Sequence, residues 1–182
     1  MSTTLKPFGM KPVFHPSGLD RATPFAGTNS YVVGTPNYSA GYTLADGAAF
    51  YQYQPVSIDP STGKLGIAST QTVRMFGVFD GVEFTDSQGR RSVAKWASKA
   101  TLDASTQIVF WLFTDPQLVY EIQAKGTMAA NTIGAEFNFS AVAGYTPSSG
   151  TSIGNGGAGF STCALDNTGV AAGAQGQVKV LG

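Results

Sequence analysis

The sequence predicts an all-β protein, an antiparallel β-barrel or small sandwich with an extended N-terminal arm. Two observations carry this. Gly 23 and Pro 9 make the chain rich in turn residues, which suits many short strands and works against a helical bundle. Short runs of β-branched and aromatic residues alternate with turn signals along most of the chain, and no stretch of three helical turns has an apolar stripe.

The elements follow in order. Residues 1–28 place Pro7, Pro12, Pro16 and Pro24 among Gly9, Gly18 and Gly27, a density that forbids a regular helix or a central strand. This is the arm. It also carries Phe8, Met10, Val13 and Phe14, large apolar groups that need cover from their own domain or from a neighbouring subunit. Phe8, Met10, Lys11, Val13, Phe14 and His15 are therefore the candidate contact residues. Residues 29–182 form a single β-domain. Tyr31 to Val33 reads as a strand and residues 35–48 as a loop. Phe50 to Ile58 half-alternates, with Pro55 demoting it to an edge or a bulge. Asp59-Pro-Ser-Thr-Gly-Lys64 is a turn, opened by Asp and Pro and completed by a glycine that accepts positive φ.

Thr72 to Phe84 gives the clearest strand signal, with Phe76, Val78, Val82 and Phe84 on one face and Asp80 beside them. Gly77 and Gly81 fit if this strand bulges or if another backbone packs close. Asp86-Ser-Gln-Gly89 is the next turn. Gln107 to Phe113 is apolar on both faces and is expected to be the most buried strand. Asp115-Pro116 ends it and Leu118 to Ile122 returns. Gly134 to Val142 alternates, residues 143–159 form a flexible Gly/Ser/Thr-rich loop, and Thr162 to Asp166 and Gln177 to Leu181 supply the last strands. Phe76, Val78, Val109, Trp111, Tyr120, Phe137 and Phe139 are expected to share one core.

Composition narrows the function. Lys plus Arg equals Asp plus Glu at 11 each, so no global field draws the protein to nucleic acid or to an anionic membrane. Charged residues are only 12% of the chain, where about 25% is typical, and so little self-repulsion suits a surface that neighbours cover. The longest strongly apolar run, Ile108 to Phe113, falls far short of the roughly 20 residues a membrane-crossing helix needs. The N-terminus lacks the pattern of a secretory signal. A lone Cys163 has no internal disulfide partner, which fits assembly in a reducing cytoplasm.

Chemical constellations are weak. His15 and Cys163 would suit a thiol protease only if the fold joined them, and a free Cys in a strand is more often a small buried hydrophobe. Asp80, Glu83 and Asp86 could be drawn as paired acids for glycoside cleavage, or as a calcium site, but Asp86 reads more simply as a turn residue and no ligand repeat follows it. Arg90, Arg91, Lys95 and Lys99 near Trp96 read as a solvated or ion-paired edge before a nucleic-acid surface. Gly154 to Gly159 lacks the Lys-Ser/Thr of a phosphate loop. No metal and no cofactor is expected. A carbohydrate-binding or adhesin module is the alternative, with Tyr31, Tyr38, Tyr42, Tyr51, Tyr53 and Trp96 as an aromatic platform.

Several segments, in collinear order, resemble one family. Phe8-Gly-Met-Lys-Pro-Val-Phe-His-Pro-Ser-Gly18 is similar to an arm motif Phe-Gly-x-Arg-Pro-Val-x-His-x-Ser-Gly, with Lys11 in place of Arg. Gly77-Val-Phe-Asp-Gly-Val-Glu-Phe-Thr-Asp86 with the downstream Trp96, then Gln123-Ala-Lys-Gly126, Ile133-Gly134 and the terminal Gln177-Val-Lys-Val180, continue the likeness. The family is the small head decoration, or cement, proteins of tailed bacteriophages. Residues 35–55 depart from its pattern. The resemblance implies a non-catalytic virion protein on the capsid surface, bound to the major capsid protein as a trimer or other small oligomer.

Overall fold

The computed structural model describes residues 8–16, 23–24, 41–44, 48–68, 74–139, 159, 161–168, 170 and 176–181. The expected strand at Tyr31 to Val33, the loop over 143–158 and most of residues 17–28 lie outside these.

The described chain is mostly β-strand with one short helix, and its sheets do not close into a barrel among the described residues. Of the two expected architectures, layered sheets are found. The main sheet has six strands. At its centre β6 (Gly77–Thr85) pairs along one edge with β9 (Thr106–Phe113). The other edge of β6 is shared, by β4 (Gln54–Ile58) over its first half and β7 (Arg91–Ala94) over its second. β5 (Leu65–Ile67) extends the sheet beyond β4, and β2 (Thr23–Pro24) extends it beyond β9. The handover from β4 to β7 occurs at a bulge. Phe79 pairs with Leu112 and Gly81 with Trp111, which leaves Asp80 as the extra residue.

That bulge corrects the expected period. A residue inserted into a strand shifts its side-chain phase by one, so Phe79, Val82 and Phe84 share a core while Val78 belongs to a second one. Phe76 is left exposed. Gly77 has the reason anticipated for it: a Cβ there would lie 2.5 Å from the Phe113 carbonyl oxygen. A second irregularity falls on β9 near Gln107, whose φ is 51°.

The core is two clusters where one was expected. The first packs Ile108, Phe110 and Leu112 of β9 against Phe50, Phe79, Val82 and Leu102. It is covered by a ribbon of β3 (Ala49–Tyr51) with β8 (Trp96–Ser98) and by the helix α1 (Lys99–Asp103), whose first turn is capped by Thr101 N–H donating to Ser98 Oγ. The second contains Met10, Val78, Phe113, Leu118, Phe139 and Cys163. Neighbours in one strand point to opposite faces of a sheet. The split of Val78 from Phe79 and of Phe113 from Leu112 therefore puts the two clusters on opposite faces. β9 buries Ile108, Phe110 and Leu112 deeply, while Val109 and Trp111, assigned to the core from sequence, are only half-buried.

β4 is not an edge strand, because it is laddered to β6 through residues 54–56 and to β5 through residues 56–58, and Pro55 itself falls just outside the β5 ladder. Two small ribbons complete the fold. β1 (Lys11–Phe14) pairs antiparallel with β10 (Val119–Glu121), and β11 (Glu136–Phe137) with β12 (Val178–Lys179).

Candidate functional site

The segment from Phe8 to Pro16 shows how the arm residues are held. Met10 N–H donates to the Tyr53 carbonyl at 2.8 Å. Gly9 precedes it at φ 78°, where an added Cβ would stand 2.5 Å from that same Tyr53 oxygen, so only glycine admits this approach. Met10 is 2% exposed in the second cluster, and His15, 8% exposed, sits 3.0 Å through Nε2 from Asp115 Oδ2. The Gln117 backbone N–H and then His15 hold the Asp115 carboxyl below the usual carboxylate range, because both favour the ionised form.

The described part of the arm thus lies on its own domain, one of the two surfaces expected for it. Its candidate residues divide. Met10 and His15 face inward and Phe8 is half-buried, whereas Lys11, Val13 and Phe14 face out, Val13 being 50% and Phe14 59% exposed. β1 is thus fixed on one side and presents Lys11, Val13 and Phe14 on the other.

The acids and bases singled out from the sequence pair with one another. Asp80 pairs with Lys95 Nζ at 2.9 Å, Glu83 with Arg91 at 2.6 Å, and Asp86 with Arg90 at 3.0 Å. Lys99 pairs with Asp103. The acids and the basic stretch neutralise one another, as the ion-paired-edge reading holds. Asp86 also accepts from the Gln88 and Arg90 backbone N–H groups, as a turn residue does, and these bonds, with the Arg90 side chain, keep its carboxyl below the ordinary range. Cys163 is wholly buried, and burial pushes its thiol well above its ordinary value, which disfavours the thiolate a nucleophile needs. No group of potential metal ligands occurs among the described residues.

Among the described residues only part of the aromatic platform comes together. Tyr42 is buried with its hydroxyl donating to Asp103 at 2.6 Å, and Tyr53 packs against the second cluster. Tyr51 and Trp96 stack on each other across β3 and β8, while Tyr31 and Tyr38 lie outside the described residues. Comparison with family models, with curated proteins and with solved structures found no match to this chain.

One feature had little forewarning in the sequence. An open groove of about 630 Å³ runs between β10 and β12, with buried Met10, Phe113 and Leu118 among its lining and the exposed Phe76 and Leu181 at its margin. Its walls come from residues more than fifty positions apart. Only the apolar character of Met75, Phe76 and Val180 hinted at it.

Proposed function

We propose that this chain is a structural protein of a tailed-phage head, a decoration or cement protein that binds the outer surface of the shell and stabilises the lattice without catalysis. Its partner is the major capsid protein, and it acts as a trimer or other small oligomer. The observation that carries this reading is the arm motif from Phe8 to Gly18 together with the way its residues are set. Gly9, Met10 and His15 fix the segment, and Lys11, Val13 and Phe14 stand outward from β1. Exposed apolar groups on a rigid strand lose little entropy when a partner covers them, and several copies in one oligomer gain by avidity.

The test is co-sedimentation with expanded heads that lack this protein. Deleting residues 2–18 does not isolate docking from folding, since it removes Met10 from the second cluster. Val13→Asp with Phe14→Asp changes only the exposed side. The double variant should keep its melting temperature and lose most of its binding to heads. Wild-type protein that stays in the supernatant would refute the reading.

A further inference from the structure

Gln52 and Tyr53, between β3 and β4, hold together parts of the chain that are far apart in sequence. Tyr53 N–H donates to the Phe79 carbonyl of β6 at 2.7 Å, and the Tyr53 carbonyl accepts from Met10 N–H of the arm at 2.8 Å. The Gln52 N–H donates to the Gly159 carbonyl and the Gln52 carbonyl accepts from Ser161 N–H, while its buried side chain donates to Asp80 Oδ1 at 3.0 Å. One dipeptide thus meets the arm, the bulge of β6 and the chain at Ser161. Gly9 comes so near this point that a Cβ on it would also stand 3.0 Å from Ser161 Cβ.

The backbone of Tyr53 is what joins them. In a regular antiparallel ladder a residue turns its N–H and its C=O toward the same partner. Tyr53 sends them to different ones, and it does so with φ at 63°, in the left-handed region that a tyrosine rarely enters. Such a conformation persists only where several contacts impose it. Here the bonds to Phe79 and Met10 impose it, with Tyr53 packed against the second cluster. The far end of the same arm segment is held by His15 and by the ladder of β1 with β10.

We propose that Tyr53 is a positioning residue for the arm. Its left-handed backbone turns one carbonyl away from β6 to anchor Met10, and so sets where Lys11, Val13 and Phe14 stand. The conformation of the backbone, and not the ring, carries the effect. The proposal rests on the capsid reading for the use of those three residues, and adds to it a residue outside their face that governs docking through them.

Two replacements in the full-length protein separate backbone from ring. Tyr53→Gly removes the ring but takes positive φ freely, whereas Tyr53→Ile keeps an apolar side chain and, being β-branched, resists it. The readouts are exchange of the Met10 amide in the free protein, followed by NMR, and binding to expanded heads that lack this protein. In Tyr53→Ile the Met10 amide should exchange about tenfold faster or more, while amides of β6 and β9 keep their protection and head binding weakens by a similar factor. Tyr53→Gly should stay within about threefold of wild type in both. If Tyr53→Ile does not fold, Gly9→Ala presses on the same contact from the arm side and should give the same result. A larger loss in Tyr53→Gly than in Tyr53→Ile, or Met10 exchange unchanged in both, would overturn the proposal. A Tyr53→Ile protein with a loosened Met10 and undiminished head binding would overturn the positioning role and leave the capsid reading standing. If wild type does not bind heads, the capsid reading falls, and Met10 exchange still decides whether Tyr53 anchors the arm.

Discussion

The clusters on the two faces of the main sheet are built in different ways. The first is filled by large rings, with Phe50 and Phe79 stacked 5.4 Å apart and Phe110 edge-on to both. Its walls are the long strands β6 and β9, registered over most of their length. The second collects single residues from along the whole chain, from Met10 to Cys163, and its ribbons are short. Each of these residues is brought in by its own stretch of chain, and this face ends in an open groove. A long ladder fixes each side chain against its neighbours, whereas short ribbons leave edges and gaps. The molecule has its long ladder and ring-packed core on one face and its short ribbons and groove on the other.

The sharpest test of this contrast is Phe110→Ala against Trp111→Ala. Phe110 is fully buried, and its truncation should cost about 3 to 5 kcal/mol in urea unfolding. Trp111, half-buried on the opposite face, should cost clearly less. The reverse order would mean that β9 presents the other face to the core.

A smaller, more local loss is expected for Met10→Ala, about 2 kcal/mol. Amides of β1 and β10 should exchange faster while those of β6 and β9 keep their protection. Equal acceleration in both regions would show one cooperative unit where the geometry gives two. Cys163→Ser tests the dryness of the second cluster. A hydroxyl replacing the buried thiol should cost about 1 to 3 kcal/mol, more than Cys163→Ala does, and a serine as stable as the wild type would place water there.

The smallest effect is the pH dependence of the His15–Asp115 contact. Asp115 has a folded pKa below its unfolded value, so its contribution is present above about pH 4 and is lost as acid protonates the folded carboxyl. Exchange in β1 should quicken as pH falls through that range, after correction for intrinsic rates. Asp115→Asn should flatten the dependence. Because Asp115 is about half exposed, solvent screening keeps the change slight.

Much of this was legible in the chain itself. Turn chemistry placed the Asp59 to Lys64 loop, where Asp59 accepts from Ser61 N–H at 2.8 Å and Gly63 takes φ 69°. It also placed the Asp86 to Gly89 turn, because side-chain oxygens and glycine act on their immediate neighbours. Strand positions at β4, β6, β9 and β10 followed from local apolar runs. Which residues of those runs face the core did not follow. One extra residue at Asp80 reverses the phase of β6, and local periodicity cannot anticipate a bulge that serves two partners, β4 and β7. The candidate arm residues were found by their apolar character, but their division into Met10 and His15 inward and Val13 and Phe14 outward depended on β10, more than a hundred positions away.

By itself, then, the sequence determined an all-β class, the main turns and the absence of a strong charge field, all set by composition and short-range stereochemistry. The tertiary structure alone decided that the described sheets stay open, that the core divides across the main sheet, that each acid near Trp96 meets a cation, and that β10 and β12 border one groove. Those outcomes arise where segments distant in sequence compete for the same space, and no local pattern records the result of that competition.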